Sequence, residues 1–108
     1  MPTYNKLVRD KIPGFIKATG KSFRTRKLSD QEYIIELRKK LLEEIAEYKD
    51  AGTNEQALEE LADIMEVIKS LVELHGTNID EIEKIRKKKF VERGGFRGKV
   101  LLIDVGDE

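Results

Sequence analysis

Four carboxylates stand out by type and spacing: Glu44 and Glu47, three residues apart, and, after a gap of twelve residues, Glu60 and Asp63 with the same separation. On a helix, residues three apart project from neighbouring turns of one side, so each pair can aim its acids together. The segment that holds them, EEIAEYKDAGTNEQALEELAD (residues 43–63), carries eight acids and one base, Lys49, in a chain whose formal net charge is zero. Carboxylates crowded against an apolar interface repel one another and are costly to bury unpaired. A hard divalent cation turns them into ligands, and Mg²⁺ suits an all-oxygen donor set.

The bases lie elsewhere. Before Ser29 there are eight (Lys6, Arg9, Lys11, Lys17, Lys21, Arg24, Arg26 and Lys27) against Asp10 alone, and from Lys84 to Lys99 there are eight against Glu92 alone. An acidic middle between two basic ends places a cation site beside an anion site, which is what a metal-bound polyphosphate needs. The competing reading is that these charges solvate helices and pair across subunits, since Glu and Lys are good surface helix formers and E-x-x-E recurs by chance.

Other chemistries are narrowed by composition. The chain has no cysteine and one histidine, His75, which excludes disulfides, thiolate nucleophiles and a cysteine or multi-histidine zinc cage. No apolar run has the length of a signal peptide or a membrane span, so a cytoplasmic protein without a membrane partner is expected. The run R-K-K-K at residues 86–89 raises nucleic-acid binding, but the acidic middle and the lack of a basic and aromatic platform argue against it.

The elements that must position these residues are helices. A length of 108 residues fits one domain, taken here as residues 1–108. Pro13 is placed to open a short helix through Ala18, with Gly20 ending it. Ser29 and Glu32 form an S-x-x-E capping box, predicting a long helix from Ser29 to about Ala51, stopped by Gly52, with Ile34, Leu37, Leu41, Ile45 and Tyr48 as its core stripe. A second helix, capped by Thr53 or Asn54, runs to His75 before Gly76. Its apolar set, from Ala57 to Val72, spans about half the wheel at ~100° per residue, too broad for a single neighbour. A third helix, capped by Thr77 or Asn78, carries Ile79, Ile82, Ile85 and Phe90 and ends at Gly94 and Gly95. The fold expected is therefore mainly all-α: an antiparallel hairpin plus a third helix, assembled by oligomerisation into a four-helix-bundle-like dimer or tetramer. Residues 22–28 and 100–104 are the candidates for a short two-stranded β element joining the termini.

The short turn between the first two long helices makes them adjacent and brings Glu44, Glu47, Glu60 and Asp63 within reach of one another. Glu43 and Glu59 fall on the outer faces. Lys89 falls between Ile82 and Ile85 on what should be the inward face of the third helix, with Arg93 one turn on. Lys6, Arg9 and Lys11 form a second basic edge suited to phosphate or to salt bridges, and Asp10 is placed to orient Arg9 or cap the Pro13 turn.

The pattern E-x-x-E then E-x-x-D on consecutive helices, together with YNKLVRDKIP at residues 4–13 and KFVERGGF at residues 89–96, resembles the MazG-like, all-α nucleotide pyrophosphohydrolases. That superfamily also includes phosphoribosyl-ATP pyrophosphohydrolase and the dimeric dUTPases, and the two flanking motifs resemble its small house-cleaning branch. The resemblance covers nearly the whole chain. It implies that Glu44, Glu47, Glu60 and Asp63 bind Mg²⁺, with Mn²⁺ as a substitute, and that Glu44 or Glu47 acts on a water. It also puts Lys89 at the family's basic position ahead of the R-G-G-F segment; Lys89 and Arg93 are expected to contact phosphate oxygens, with Lys6, Arg9 and Lys11 as a second phosphate-contacting edge unless they serve salt bridges. The reaction so implied is hydrolysis of a nucleoside triphosphate between its α and β phosphorus atoms. Phosphoribosyl-ATP as substrate, or a non-catalytic helical dimerisation module, are the alternatives. The chain lacks the long insertions and duplicated domain of some members, so the resemblance assigns no residue to base recognition.

Overall fold

A computed structural model of the chain describes residues 3–107. Within them the secondary structure is four helices, α1 (Ile12–Ala18), α2 (Asp30–Lys49), α3 (Asn54–Leu74) and α4 (Ile79–Arg93), and no strands.

Local chemistry accounts for nearly every boundary. Pro13 sits in the first turn of α1, where its missing N–H costs nothing, and Gly20 closes the helix with φ +80°. The Ser29 hydroxyl accepts from the Glu32 N–H while the Glu32 carboxylate accepts from the Ser29 N–H, a complete capping box, and Arg26 grips the same carboxylate at 2.7 Å. Those contacts hold the Glu32 carboxyl down at about 2, the Arg26 hydrogen bond being the largest cause. We expect Ser29→Ala to cost about 1 kcal/mol in urea-melting free energy, because two N-terminal N–H groups lose their acceptor geometry together. Thr53 caps α3 and Asn78 caps α4, each through its side-chain oxygen. Gly76 follows α3 with φ +84°, where a side chain would be strained. Gly52, by contrast, is not left-handed; α2 ends at Lys49 with Asp50 as its C-cap, and the Gly52 N–H donates to Gln56 Oε1 of the next helix.

Helices α2 and α3 pack as the expected hairpin, and α4 leans on α3 alone. Leu37, Val67 and Val72 form the buried centre, with no large side chain fully enclosed. The broad apolar arc of α3 is used on one side only: Val67 and Val72 are buried, whereas Leu58, Leu61 and Met65 are exposed. On α2, Ile45 and Tyr48 of the expected core stripe are exposed, as are Ile35 and Leu42. The protomer is elongated, 67 × 36 × 26 Å with a radius of gyration of 18.8 Å, against about 13 Å for a compact chain near this length.

Two expectations are corrected. Residues 22–28 and 100–104 form no strand; neither stretch makes a backbone hydrogen bond outside itself, and Val100–Val105 lies exposed past α4. A β pair needs its two runs side by side, and the elongated helix arrangement does not supply that within one chain. Lys89 is exposed and does not face inward, since α4 has no buried residue and only Ile82 and Glu83 are half-covered. A helical wheel gives a face its composition but not its neighbour.

Candidate metal centre

The antiparallel hairpin brings Glu44 and Glu47 of α2 opposite Glu60 of α3, with one carboxylate oxygen of each lying within 4.8 Å of the others. Glu44 lies seven residues after Leu37, two helical turns along the stripe that faces α3, and is 6% exposed. Glu60 is half-buried and Glu47 open to solvent. The site is thus an open-topped bowl with acid at its floor.

Its electrostatics are unsatisfied. Glu44 Oε2 and Glu60 Oε2 are both buried without a hydrogen-bond partner. Burial, then the negative charge of Glu47, raises the Glu44 carboxyl above its ordinary range. Glu60 is pushed up to about 7, by burial first and then by carboxylate contacts with Glu47 and Glu44. Native proteins seldom leave two buried acceptors unpaired side by side. Among the described residues the only close counter-charge to the cluster is Lys40 of α2, whose Nζ lies 3.6 Å from Glu44 Oε1 and 3.7 Å from Glu43 Oε2.

Asp63, the fourth acid of the sequence pattern, is near enough for its charge to help raise Glu44, but its carboxylate is already engaged: Arg9 Nη2 donates to Asp63 Oδ1 at 2.6 Å. The N-terminal arm is thereby tied to α3 beside the site, and Arg9 does not turn to Asp10. Lys11, exposed, is the N-cap residue of α1 without a side-chain capping bond, and it lines the hollow beneath the arm together with Arg9, Lys40, Glu44 and Asp63. Lys6, Lys89 and Arg93 are exposed and form no ion pair among the described residues, and α4 does not contact α2. Glu43 and Glu59 are exposed, matching their outer placement. Lys40 was not singled out by spacing alone, although its position four residues before Glu44 is the signal that finds it.

The donor set fits a divalent cation on its own terms. Three carboxylates converge from facing helices, two of their oxygens are orphaned, and all donors are hard oxygens of the kind Mg²⁺ and Mn²⁺ take.

No protein-family model and no solved structure matches the chain. Over 54 residues it is 50% identical to a protein of Mycolicibacterium smegmatis described as uncharacterized, a match covering 50% of this chain and 55% of that protein. The chain therefore spans about half the length of that relative. No helix among the described residues is long and apolar enough to cross a membrane.

Proposed function

We propose that the chain is a Mg²⁺-dependent nucleoside triphosphate pyrophosphohydrolase, cleaving its substrate between the α and β phosphorus atoms to a nucleoside monophosphate and pyrophosphate. The observation that carries this reading is the pair of buried, unpartnered oxygens on Glu44 and Glu60 within a three-carboxylate bowl beside cationic side chains. Glu44, Glu47, Glu60 and Asp63 hold the cation, which when bound neutralises phosphate charge and acidifies a coordinated water. Glu47, the most open of the three clustered acids, is placed to orient the attacking water or take its proton, with Glu44 as the alternative. Arg9, Lys11 and Lys40 line the adjacent hollow and supply charge to the phosphates, Arg9 by its planar fork.

Assembly into a homo-oligomer belongs to the same proposal. The protomer exposes 10246 Å², whereas a folded monomer of its mass exposes about 6,200 Å². The excess is on the scale of obligate interfaces, and the exposed stripe Leu58, Leu61 and Met65 is where a second copy's hairpin would complete a four-helix bundle. Lys89 and Arg93 then act across an interface between copies, since α4 packs on α3 alone within one protomer. Light scattering should return at least twice the 12.5 kDa chain mass, and Leu58→Glu with Met65→Glu should drive the mass down to that of the monomer. A wild-type monomer would refute the assembly.

The hydrolase assignment is tested by pyrophosphate release from a panel of common and damaged nucleoside triphosphates, with and without Mg²⁺. Release is expected only with Mg²⁺ or Mn²⁺ and is expected to collapse in Glu60→Gln and Asp63→Asn. Unchanged turnover in folded variants removes the assignment. The exposed apolar stripes also favour a second reading, a non-catalytic dimerisation module. It predicts that neutralising the acids weakens association and that Mg²⁺ leaves the melting temperature where it was.

A further inference from the structure

Under the N-terminal arm lies a hollow of about 460 Å³, within the size range of small-ligand sites and floored by α2 and α3. Its lining changes character along the helices. At one end are Glu44 and Asp63 of the metal centre; then come Lys40 and Glu66, next Leu37 and Ser70, and at the far end Tyr33. Tyr33 is eleven residues from Glu44, about 16 Å of helix axis at 1.5 Å per residue. Phe15 of α1 also lines the hollow, yet it is 62% exposed, so packing alone does not explain an aromatic ring there. Of the polar groups between these ends, Lys40 is drawn toward Glu44 and Glu43, whereas Glu66 and Ser70 are positioned to accept. The Glu66 carboxylate has no hydrogen bond or ion pair among the described residues, and the Ser70 hydroxyl donates to the Glu66 carbonyl at 3.2 Å, leaving its lone pairs free.

We propose that this hollow takes the nucleoside of the substrate: Tyr33 and Phe15 contact the faces of the base, and Glu66 selects bases that present an amino group, as cytosine, adenine and guanine do. This rests on the hydrolase reading, which sets phosphates at the Glu44 end; the base then falls among the aromatics. A carboxylate accepts from an exocyclic amine and repels a carbonyl in the same place, so uracil, thymine and other bases without an exocyclic amino group are disfavoured.

The test is calorimetric binding of CMP and UMP, which differ in the 4-amino against 4-oxo group and the N3 hydrogen that goes with it, with Mg²⁺ present and no turnover. CMP should bind about tenfold more tightly than UMP. Glu66→Gln, whose amide offers both a donor and an acceptor, should erase the difference. Phe15→Ala, at an exposed site that spares the fold, and Tyr33→Leu should each weaken CMP about tenfold, while binding of inorganic pyrophosphate with Mg²⁺ stays at the wild-type value. Equal affinity for CMP and UMP, or wild-type CMP affinity in both aromatic variants, overturns the assignment. Because these readouts need no hydrolysis, they decide the pocket separately from pyrophosphate release, which decides the hydrolase reading.

Discussion

Glu60→Gln is expected to raise the melting temperature of the metal-free protein and, in the same molecule, to abolish the further rise that Mg²⁺ gives the wild type. The side chain sits against Glu44 and Glu47 with a buried oxygen that nothing satisfies, so the neutral amide relieves repulsion that the folded state now carries. The wild type regains that loss by binding a cation: at a concentration one hundred times its dissociation constant, a ligand specific to the folded state adds about 2.7 kcal/mol. Removing one of the converging carboxylates should cut Mg²⁺ affinity by more than the roughly 10–100-fold typical of lost groups that merely support ligands. Pyrophosphate release should fall at least in proportion. Scanning calorimetry on both proteins, with and without Mg²⁺, reads all but the last. A Glu60→Gln protein that is less stable without metal, or that still gains the full Mg²⁺ increment, would show that the acids are not a metal centre.

The second large effect is on pH. Glu60 has its folded carboxyl pushed up to about 7 from an ordinary value of 4.5, and Glu44 is raised as well. The metal-free folded protein therefore holds protons that the unfolded chain has released. Stability is full below about pH 4.5 on account of these groups, and is lost as pH rises through 7. The Tm of the metal-free protein should fall between pH 5 and pH 8, where an ordinary acid-sensitive protein would be flat or rising. With Mg²⁺ the trend should reverse, because the cation competes with those protons and its affinity grows as they leave. Glu32 works in the opposite sense: its carboxyl is held at about 2 by Arg26, so its contribution persists through this window and disappears only in strong acid. A metal-free Tm that climbs from pH 5 to 8 would contradict the shared burial of Glu44 and Glu60.

What could be read from the chain was whatever depends on neighbours in sequence. Ser29 with Glu32, Thr53, Asn78 and Gly76 cap or terminate helices through groups a few positions away, and each does so in the structure. The acid cluster is legible for the same reason, because a short turn sets the Glu44 and Glu47 pair opposite Glu60 of the second pair, whose other member, Asp63, is held by Arg9 instead. The unread contacts join distant residues or depend on an absent neighbour. Arg9 and Asp63 are separated by 54 positions, and no local rule chooses Asp63 over the adjacent Asp10. Lys89 was placed inward by a wheel that counts apolar residues, but α4 meets only α3 and leaves that side open. The strand expectation failed similarly, since β-prone composition in Val100–Ile103 supplies no partner.

The clasp between Arg9 and Asp63 ties the chain's beginning to its acid floor. Asp63 cannot give its charge fully to a guanidinium and to a cation at once, so a cation at the bowl and a closed arm draw on the same carboxylate. On the proposed ligand set that competition is reciprocal: closing the arm and binding the cation are expected to weaken each other by the same factor. A polyphosphate entering with its metal offers the released guanidinium a new anion. On that proposal the N-terminal arm reports occupancy, and protease cleavage near Arg9 is expected to quicken when Mg²⁺ and a polyphosphate are added.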